Sequence, residues 1–195
     1  MASLLSKLEL EAFRKGIPAR TKTSREWFQD KAKGLRGKVN RQTLLKDEEL
    51  IKKTRTIRGN MFMFFYDAKH RKTLPYWDAF PLIIALDKAP GGFYGINLHY
   101  LPPVLRAKFL DALLDTVNND KYDESTRMNI RYSILKSVSG LRYYKPCIKR
   151  YLTSQVDSNM VMVQPAEWEV AVFLPTEQFR GKSRTAVWKE SRKMI

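Results

Sequence analysis

The chain has 195 residues, of which 44% are hydrophobic and 12% aromatic, a composition that fits one folded domain and argues against general disorder. Its 36 Lys and Arg residues against 20 Asp and Glu give a net charge of +16, which implies attraction to a polyanion such as nucleic acid, an anionic membrane or an acidic protein surface. The single cysteine, Cys147, excludes an internal disulfide, and no apolar run approaches the roughly 20 residues that span a bilayer.

The first 58 residues form a strongly basic arm, with 16 Lys and Arg against 7 Asp and Glu. Apolar spacing predicts a short helix capped by Ser3, a second helix that starts near Ser24, and a third over residues 44–51. Large apolar residues are sparse here, so we expect a mostly helical arm that packs partly on the core or on a partner. Residues 1–10 lack the apolar region of a signal peptide, so we expect a soluble protein that is not secreted by that route.

An aromatic-rich block follows the basic arm. Its three apolar runs predict strands over residues 61–66, 82–86 and 93–98, and the sequence Ala-Pro-Gly-Gly predicts a hairpin turn between the last two. Prolines restrict the loop that carries Tyr76 and Trp77, and we expect these two side chains to be available to a partner. The three strands predict a meander, or a small SH3-like barrel, which needs helices to cover it because both faces are apolar.

The second half of the chain mixes helical and strand patterns. Helical spacing is clearest over residues 102–118, and a further helix is predicted over 124–138. A short strand is predicted over residues 159–163. Residues 165–173 combine helix-start chemistry with a strand-like run, and the sequence leaves both structures open.

Cations and aromatic residues are interleaved in the stretch LRYYKPCIKRYL. This composition is typical of a nucleic-acid-contacting surface, but also of a helix whose tyrosines pack inward while its cations reach solvent. The arm presents the same choice between polyanion contact and an ordinary solvated face. The residues predicted to contact DNA phosphates are Arg142, Lys145, Lys149 and Arg150, together with Lys31, Lys33, Arg36, Lys38 and Arg41 of the arm. No helix-turn-helix, zinc-finger or RNP motif is present, so contact through the backbone or the ends of DNA is predicted, without sequence specificity.

The sequence gives little support to catalysis. His70 lies in a basic turn, and His99, at a strand end, is predicted to be a half-buried structural residue. Asp67, Asp78 and Asp87 lie beside turns, where aspartate commonly caps the backbone. Their convergence on Mg²⁺ in a nuclease is the alternative interpretation.

Other reactive side chains also lack the neighbouring residues that a catalytic site requires. Glu167 and Glu169 flank Trp168, but no lysine follows at the spacing of a known nuclease motif, and neither histidine is adjacent to Cys147. The glycines at 91, 92 and 95 match no phosphate-binding loop. We therefore predict no catalytic residue, no metal site and no cofactor.

Four stretches of the sequence carry a family resemblance. They read MFFYDAKHRKTLPYWDAFPLIIAL, GGFYGINLHYLPPVLRAKFLDALL, YKPCIKRYLTSQV and MVQPAEWEVAVFLPTEQF, and together they cover roughly Met61 to Phe179. The pattern resembles the DNA-end protector, or head-completion, family of T-even-type tailed phages and their cyanophage relatives. The resemblance implies a non-enzymatic virion protein that binds the ends of packaged DNA at the head–tail junction and shields them from exonuclease.

Together these observations predict an α+β protein: an aromatic-rich β-meander or SH3-like barrel packed against two or more helices. Its predicted parts are a basic arm (1–58), a globular core (59–179) and a basic C-terminal tail (180–195). The predicted partners are DNA and virion proteins such as portal or neck components, with no membrane, and the predicted location is the virion, with the host cytoplasm during assembly. A neck or baseplate adaptor and a metal-dependent nuclease are the alternative functions.

Overall fold

The structure is a computed structural model that describes residues 3–46, 51–53, 58–117, 133 and 142–194. Its strands are β1 (Ile51–Lys53), β2 (Met61–Met63), β3 (Trp77–Asp78), β4 (Leu82–Ala89), β5 (Gly92–Asn97), β6 (Ile148–Leu152), β7 (Met160–Val163) and β8 (Phe179–Arg180). Its α-helices are α1 (Leu4–Arg14), α2 (Lys22–Leu35), α3 (Arg41–Lys46), α4 (Pro103–Val117), α5 (Trp168–Phe173) and α6 (Arg184–Lys193). Short 3₁₀ helices span Leu98–Tyr100, Arg142–Cys147, Thr153–Gln155 and Pro165–Glu167. None of the helices in the described part of the chain has the length and apolar character needed to cross a membrane.

Six strands form one antiparallel sheet in the order β1-β7-β2-β4-β5-β6, and β3 and β8 form a separate two-stranded ribbon. Strands β2, β4 and β5 are neighbours, which confirms the α+β class and the predicted meander, including the hairpin turn before Gly92. The SH3-like barrel is not confirmed, because the described strands form an open sheet with β1 and β6 at its edges.

Both faces of the sheet are covered by buried side chains. Adjacent residues of a strand point to opposite faces, so neighbours on one strand enter different clusters. On β4, Ile84 belongs to the main core with the helices, whereas Ile83 belongs to a second cluster that contains Phe62, Phe64 and Phe93. Aromatic rings fill this second cluster, and Phe64 makes an edge-to-face contact with Phe93 at 6.0 Å between ring centres. The meander therefore serves as a scaffold.

The N-terminal helices pack on this scaffold. Leu5 and Leu8 of α1, Phe28 of α2 and Leu44 of α3 are buried in the main core. The predicted cap is confirmed, since the hydroxyl of Ser3 accepts a hydrogen bond from the backbone of the first turn of α1. The division into arm, core and tail stays a prediction.

Two glutamates tie the first two helices to the C-terminal third of the chain. Glu167 accepts a hydrogen bond from the Ser6 hydroxyl at 3.0 Å, beside the start of α1. Glu169 accepts one from the Ser24 hydroxyl at 2.6 Å and one from the Arg20 backbone at 2.9 Å, at the start of α2. Carboxylates are favourable at these positions because helix N-termini carry partial positive charge and unpaired N–H groups.

Several predicted elements differ from the structure. A helix was predicted over residues 44–51, whereas α3 spans Arg41–Lys46 and residue 51 begins the edge strand β1; residues 47–50 lie outside the described residues. The inward-facing helix considered for LRYYKPCIKRYL is wrong, because Ile148–Leu152 pairs with β5 as a strand. Residues 165–173 are helical throughout. The strand at 159–163 and the helix at 102–118 are confirmed, whereas the helix at 124–138 lies outside the described residues except for residue 133.

Candidate functional site

A groove of about 470 Å³ lies between the loop that follows β2 and the edge strand β6. We call it the aromatic-basic groove, because most of its lining residues are aromatic or cationic: Tyr66, Lys69, His70, Tyr76, Trp77, Tyr100, Lys149, Arg150 and Tyr151, together with Ala68, Leu74, Asp78 and Leu152. Its volume falls in the range of about 300–1,000 Å³ that is usual for ligand sites. The groove is lined by residues from two separate sequence predictions. Tyr76 and Trp77 were predicted to contact a partner, and Lys149 and Arg150 were predicted to contact phosphates.

The wall formed by β6 is fixed by pairing with β5. Lys149 lies opposite Gly95, and Tyr151 lies opposite Phe93. A side chain at Gly92 would place its Cβ 1.8 Å from the carbonyl oxygen of Tyr151, so only glycine permits this approach of the two strands.

The opposite wall is fixed by the ribbon of β3 and β8, in which Trp77 pairs with Arg180. Gly181 follows with a φ of +88°, and a Cβ there would lie 2.5 Å from the carbonyl oxygen of Pro75. Gly181 therefore allows the C-terminal segment to lie directly against the loop that carries Tyr76.

Lys149 is a half-buried cation without a carboxylate partner among the described residues. Its Nζ lies 4.1 Å from the centre of the Tyr100 ring, a cation–π contact. Burial lowers the pKa of Lys149, and the nearby Cys147 acts in the opposite direction. Such an ammonium group is costly to keep desolvated, and a bound anion would offset that cost.

Further cations line the groove or precede β6 in the chain. Lys69 and His70 are exposed on the loop side of the groove, Lys145 is exposed in the 3₁₀ helix before β6, and none of these three forms an ion pair with a described residue. Arg150 is exposed and donates a hydrogen bond to the backbone carbonyl of Pro90. Arg142 begins the 3₁₀ helix that leads into β6.

A buried cluster of polar side chains adjoins the groove through Asp78. Asp78 Oδ2 lies 2.6 Å from His99 Nδ1, and His99 Nε2 lies 3.1 Å from the Thr176 hydroxyl. This connectivity is that of a hydrolytic triad. However, the three residues are only 3%, 0% and 4% exposed, so no substrate reaches the hydroxyl. His99 is thus more deeply buried than predicted, and both of its ring nitrogens contact other side chains of the fold.

Asp78 is held in its charged form by this cluster. Burial alone would raise the pKa of Asp78, but His99 and hydrogen bonds from Asn97 and the Phe80 backbone outweigh burial and lower it. The contact with the Phe80 N–H at 3.1 Å is the backbone cap that the turn position predicted.

The other two aspartates have separate partners. Asp67 pairs with Arg71 four residues later, and Asp87 pairs with Arg58. Within the described ranges, no three His, Cys, Asp or Glu side chains are grouped so that they could hold a metal ion. The convergence that the nuclease interpretation needs is not seen there.

The cations predicted in the arm do not line the aromatic-basic groove. Lys31 pairs with Glu11, and Lys33 pairs with an aspartate three residues earlier. Arg41 donates to the backbone carbonyls of Thr176 at 2.7 Å and of the following residue at 2.9 Å, so its guanidinium already stabilises the fold.

Arg36 and Lys38 are exposed, and neither forms an ion pair with a described residue. Arg36 lines a second, smaller cleft of about 280 Å³ beside Val104 and Trp188. The two predicted sets of cations therefore belong to different parts of the surface.

Several groove residues were missed by sequence reasoning. Tyr66 and Tyr100 were assigned to the scaffold, and Lys69 was assigned to a polar turn. Tyr151 was noted only as one of the tyrosines interleaved with cations in LRYYKPCIKRYL. The available signal was the basic run Ala68–Lys72, which contains four cationic or titratable residues in succession.

In a comparison with protein families, the family model described as the phage T4 terminal DNA protecting protein matches residues 3–191. The matched range includes every residue that lines the aromatic-basic groove. Neither the curated proteins nor the solved structures contain a match.

Proposed function

The chain belongs to the phage T4 terminal DNA protecting protein family, as the resemblance in its sequence predicted, and from this we propose that it binds DNA ends and shields them without catalysis. The aromatic-basic groove is the site that we assign to this contact. In this proposal Tyr76 and Trp77 contact the DNA itself.

The observation that carries the proposal is the presence, in one groove, of aromatic rings and of cations that lack a carboxylate partner in the described part of the chain. Lys69, Lys149 and Arg150 line it without a carboxylate partner among the described residues. Phosphates supply the missing negative charge, and aromatic rings accept bases of any sequence. The combination suits a protein that recognises an end rather than a base sequence.

The exposed cations of the arm supply secondary contacts in this proposal. Arg36 and Lys38 are positioned for phosphates outside the groove, whereas Lys31, Lys33 and Arg41 must first give up their internal partners. A net charge of +16 favours association with DNA over the whole surface.

We further propose that the protein acts in the virion, where it completes the filled head at the head–tail junction beside portal or neck proteins. The family and the charge support this location, and assembly in the host cell precedes it. Imaging of particles with the labelled protein tests it, since signal at the baseplate alone would contradict the proposal.

Exonuclease protection tests the function directly. The protein is mixed with linear duplex DNA at about 100 mM salt, an exonuclease is added, and the surviving DNA is measured. We expect protection by the natural chain and its loss in the variant with Arg142, Lys145, Lys149 and Arg150 all changed to Gln.

A matched control variant distinguishes the effect of where the cations lie from the effect of the total charge removed. Lys46, Lys108, Lys189 and Lys193 are exposed, lie outside the groove and are not among the predicted DNA contacts. Changing these four to Gln removes the same charge and should leave protection largely intact. Equal loss in both variants would contradict a role for the groove, and Mg²⁺-dependent cutting by the protein would favour the nuclease instead.

A structural adaptor is the second candidate function. The smaller cleft exposes apolar side chains among charged ones: Val104 is 54% exposed and Trp188 is half-buried, as expected of a protein-binding surface. Absence of any DNA binding at about 100 mM salt, together with binding to neck or baseplate proteins, would favour this candidate.

A further inference from the structure

We propose that the aromatic-basic groove takes an unpaired nucleotide, so that the protein recognises a single-stranded terminus in preference to a flush duplex end. The inference rests on the proposed DNA-end binding and adds the class of end that is bound.

The size of the groove points to this ligand. A volume of about 470 Å³ accommodates one or two nucleotides. A double helix is too wide to enter, and its terminal base pair could only cover the opening. Lys149, which is half-buried in the wall, is therefore accessible to the phosphate of a strand that has left the duplex.

The Trp77 ring provides a surface for a base. It is half-buried, lines the groove, and is not stacked on another aromatic ring of the described residues. By contrast, Tyr151 is already packed between Phe64 and Phe93, which hold it in the wall. Single-stranded DNA is commonly bound by such aromatic surfaces, because every base has a π-face.

The Trp77 side chain also carries an unused donor. Its Nε1 is buried and has no hydrogen-bond partner in the described part of the chain. A buried donor without an acceptor is unfavourable, and because this nitrogen is closed to solvent, a nucleotide oxygen could satisfy it only after the Trp77 ring turns toward the groove. An apolar ligand would leave this group unpaired.

Cations on both sides of the groove can neutralise the strand. Lys149 and Arg150 are consecutive on β6, and Lys69 and His70 are consecutive on the opposite loop. A base on the aromatic wall would place its flanking phosphates near these two pairs of cations, none of which has a carboxylate partner among the described residues.

Three duplexes of the same sequence test the inference: one closed into a covalent circle without ends, one blunt and linear, and one linear with a short single-stranded extension. Binding is measured by fluorescence anisotropy. We expect the extended duplex to bind about tenfold more tightly than the blunt one, and the closed one to bind most weakly. Trp77→Leu should abolish the advantage of the extension, whereas Trp27→Leu, outside the groove, should retain it.

The outcomes distinguish this inference from the proposed function. Equal affinity for blunt and extended ends, both above the closed duplex, would overturn the inference and leave end binding intact. Equal affinity for all three would overturn both.

Photocrosslinking keeps the test independent of variant stability. The natural chain is crosslinked to a halogenated base in the extension, and the attached peptide is identified. Attachment to the peptide that contains Tyr76 and Trp77 is expected, and attachment confined to the basic arm would overturn the inference.

Discussion

The ammonium group of Lys149 lies 4.1 Å from the centre of the Tyr100 ring, in the wall of the aromatic-basic groove. The ring lowers the cost of holding a desolvated cation, but it does not cancel the charge as a carboxylate would. In the proposed function, a phosphate of bound DNA supplies the negative charge that Lys149 lacks among the described residues.

Replacing Lys149 with Gln should weaken binding to DNA ends and flatten its salt dependence. Each phosphate contact contributes about 0.9 to the slope of log affinity against log salt, so the loss of one contact should reduce the slope by about that amount. Titrations at several salt concentrations measure it. Lys108, exposed on α4, is the control, and its change to Gln should alter the slope less; an unchanged slope for Lys149→Gln would contradict the assignment.

The stability of the protein should fall in acid because of Asp78. Since its pKa is lowered in the folded state, its stabilising contribution is complete above the unfolded value of 3.8 and is lost as pH falls through the folded value. Denaturant unfolding at a series of pH values measures this. Asp78→Ala should lose about 3–5 kcal/mol at neutral pH and show a shallower dependence on acid. An identical acid dependence in both proteins would contradict the argument.

Two glycine substitutions should change stability in opposite directions. Gly92→Ala places a methyl group 1.8 Å from the Tyr151 carbonyl oxygen and should destabilise the protein by more than about 1 kcal/mol. Gly34→Ala, near the end of α2, meets no atom within 4 Å and should stabilise it by about 0.5–1 kcal/mol. Thermal unfolding of both variants measures the difference, and tolerance of Gly92→Ala would contradict the close approach of β5 and β6.

Cys147 should be unreactive in the folded protein. It is fully buried, and burial raises the pKa of its thiol to about 12, so almost no thiolate exists at neutral pH. Labelling with a thiol reagent should be slow at neutral pH and rapid after denaturation. Rapid labelling of the folded chain would show that the segment around β6 opens readily.

The contact between Glu169 and α2 should contribute to stability. Glu169→Ala leaves the Ser24 hydroxyl and the Arg20 N–H without their buried acceptor, at an expected cost of about 1–3 kcal/mol. Glu26→Ala is the control, because Glu26 is exposed and its ion pair with Lys22 is solvated. Denaturant unfolding should show a much smaller change for the control.

The sequence predicted those parts of the fold that depend on local chemistry. Ser3 caps α1 because its hydroxyl reaches an N–H three residues away, and the hairpin before Gly92 follows from the turn residues. Residues 165–173 could not be assigned, because the short apolar run Val170–Phe173 suits a buried helix as well as a buried strand.

The candidate site was predictable only in pieces. Trp77 and Lys149 were each identified, but 72 positions separate them, and their meeting depends on β6 pairing with β5 rather than on any local pattern. Likewise, Lys31 forms an ion pair and Arg41 donates hydrogen bonds within the fold. These contacts depend on tertiary packing, so they could not be predicted from the number of cations in the sequence.

The contacts of Glu167 and Glu169 also constrain the order of events during synthesis. They join residues that are 145 to 164 positions apart, so α1 and α2 leave the ribosome long before their acceptors exist. At about 5–20 residues per second this interval lasts roughly 7–30 seconds. During it the apolar faces of both helices lack their native cover, and their cations are available to the nucleic acids of the cell. A chain that stops before residue 167 would keep this exposed, basic N-terminal segment permanently.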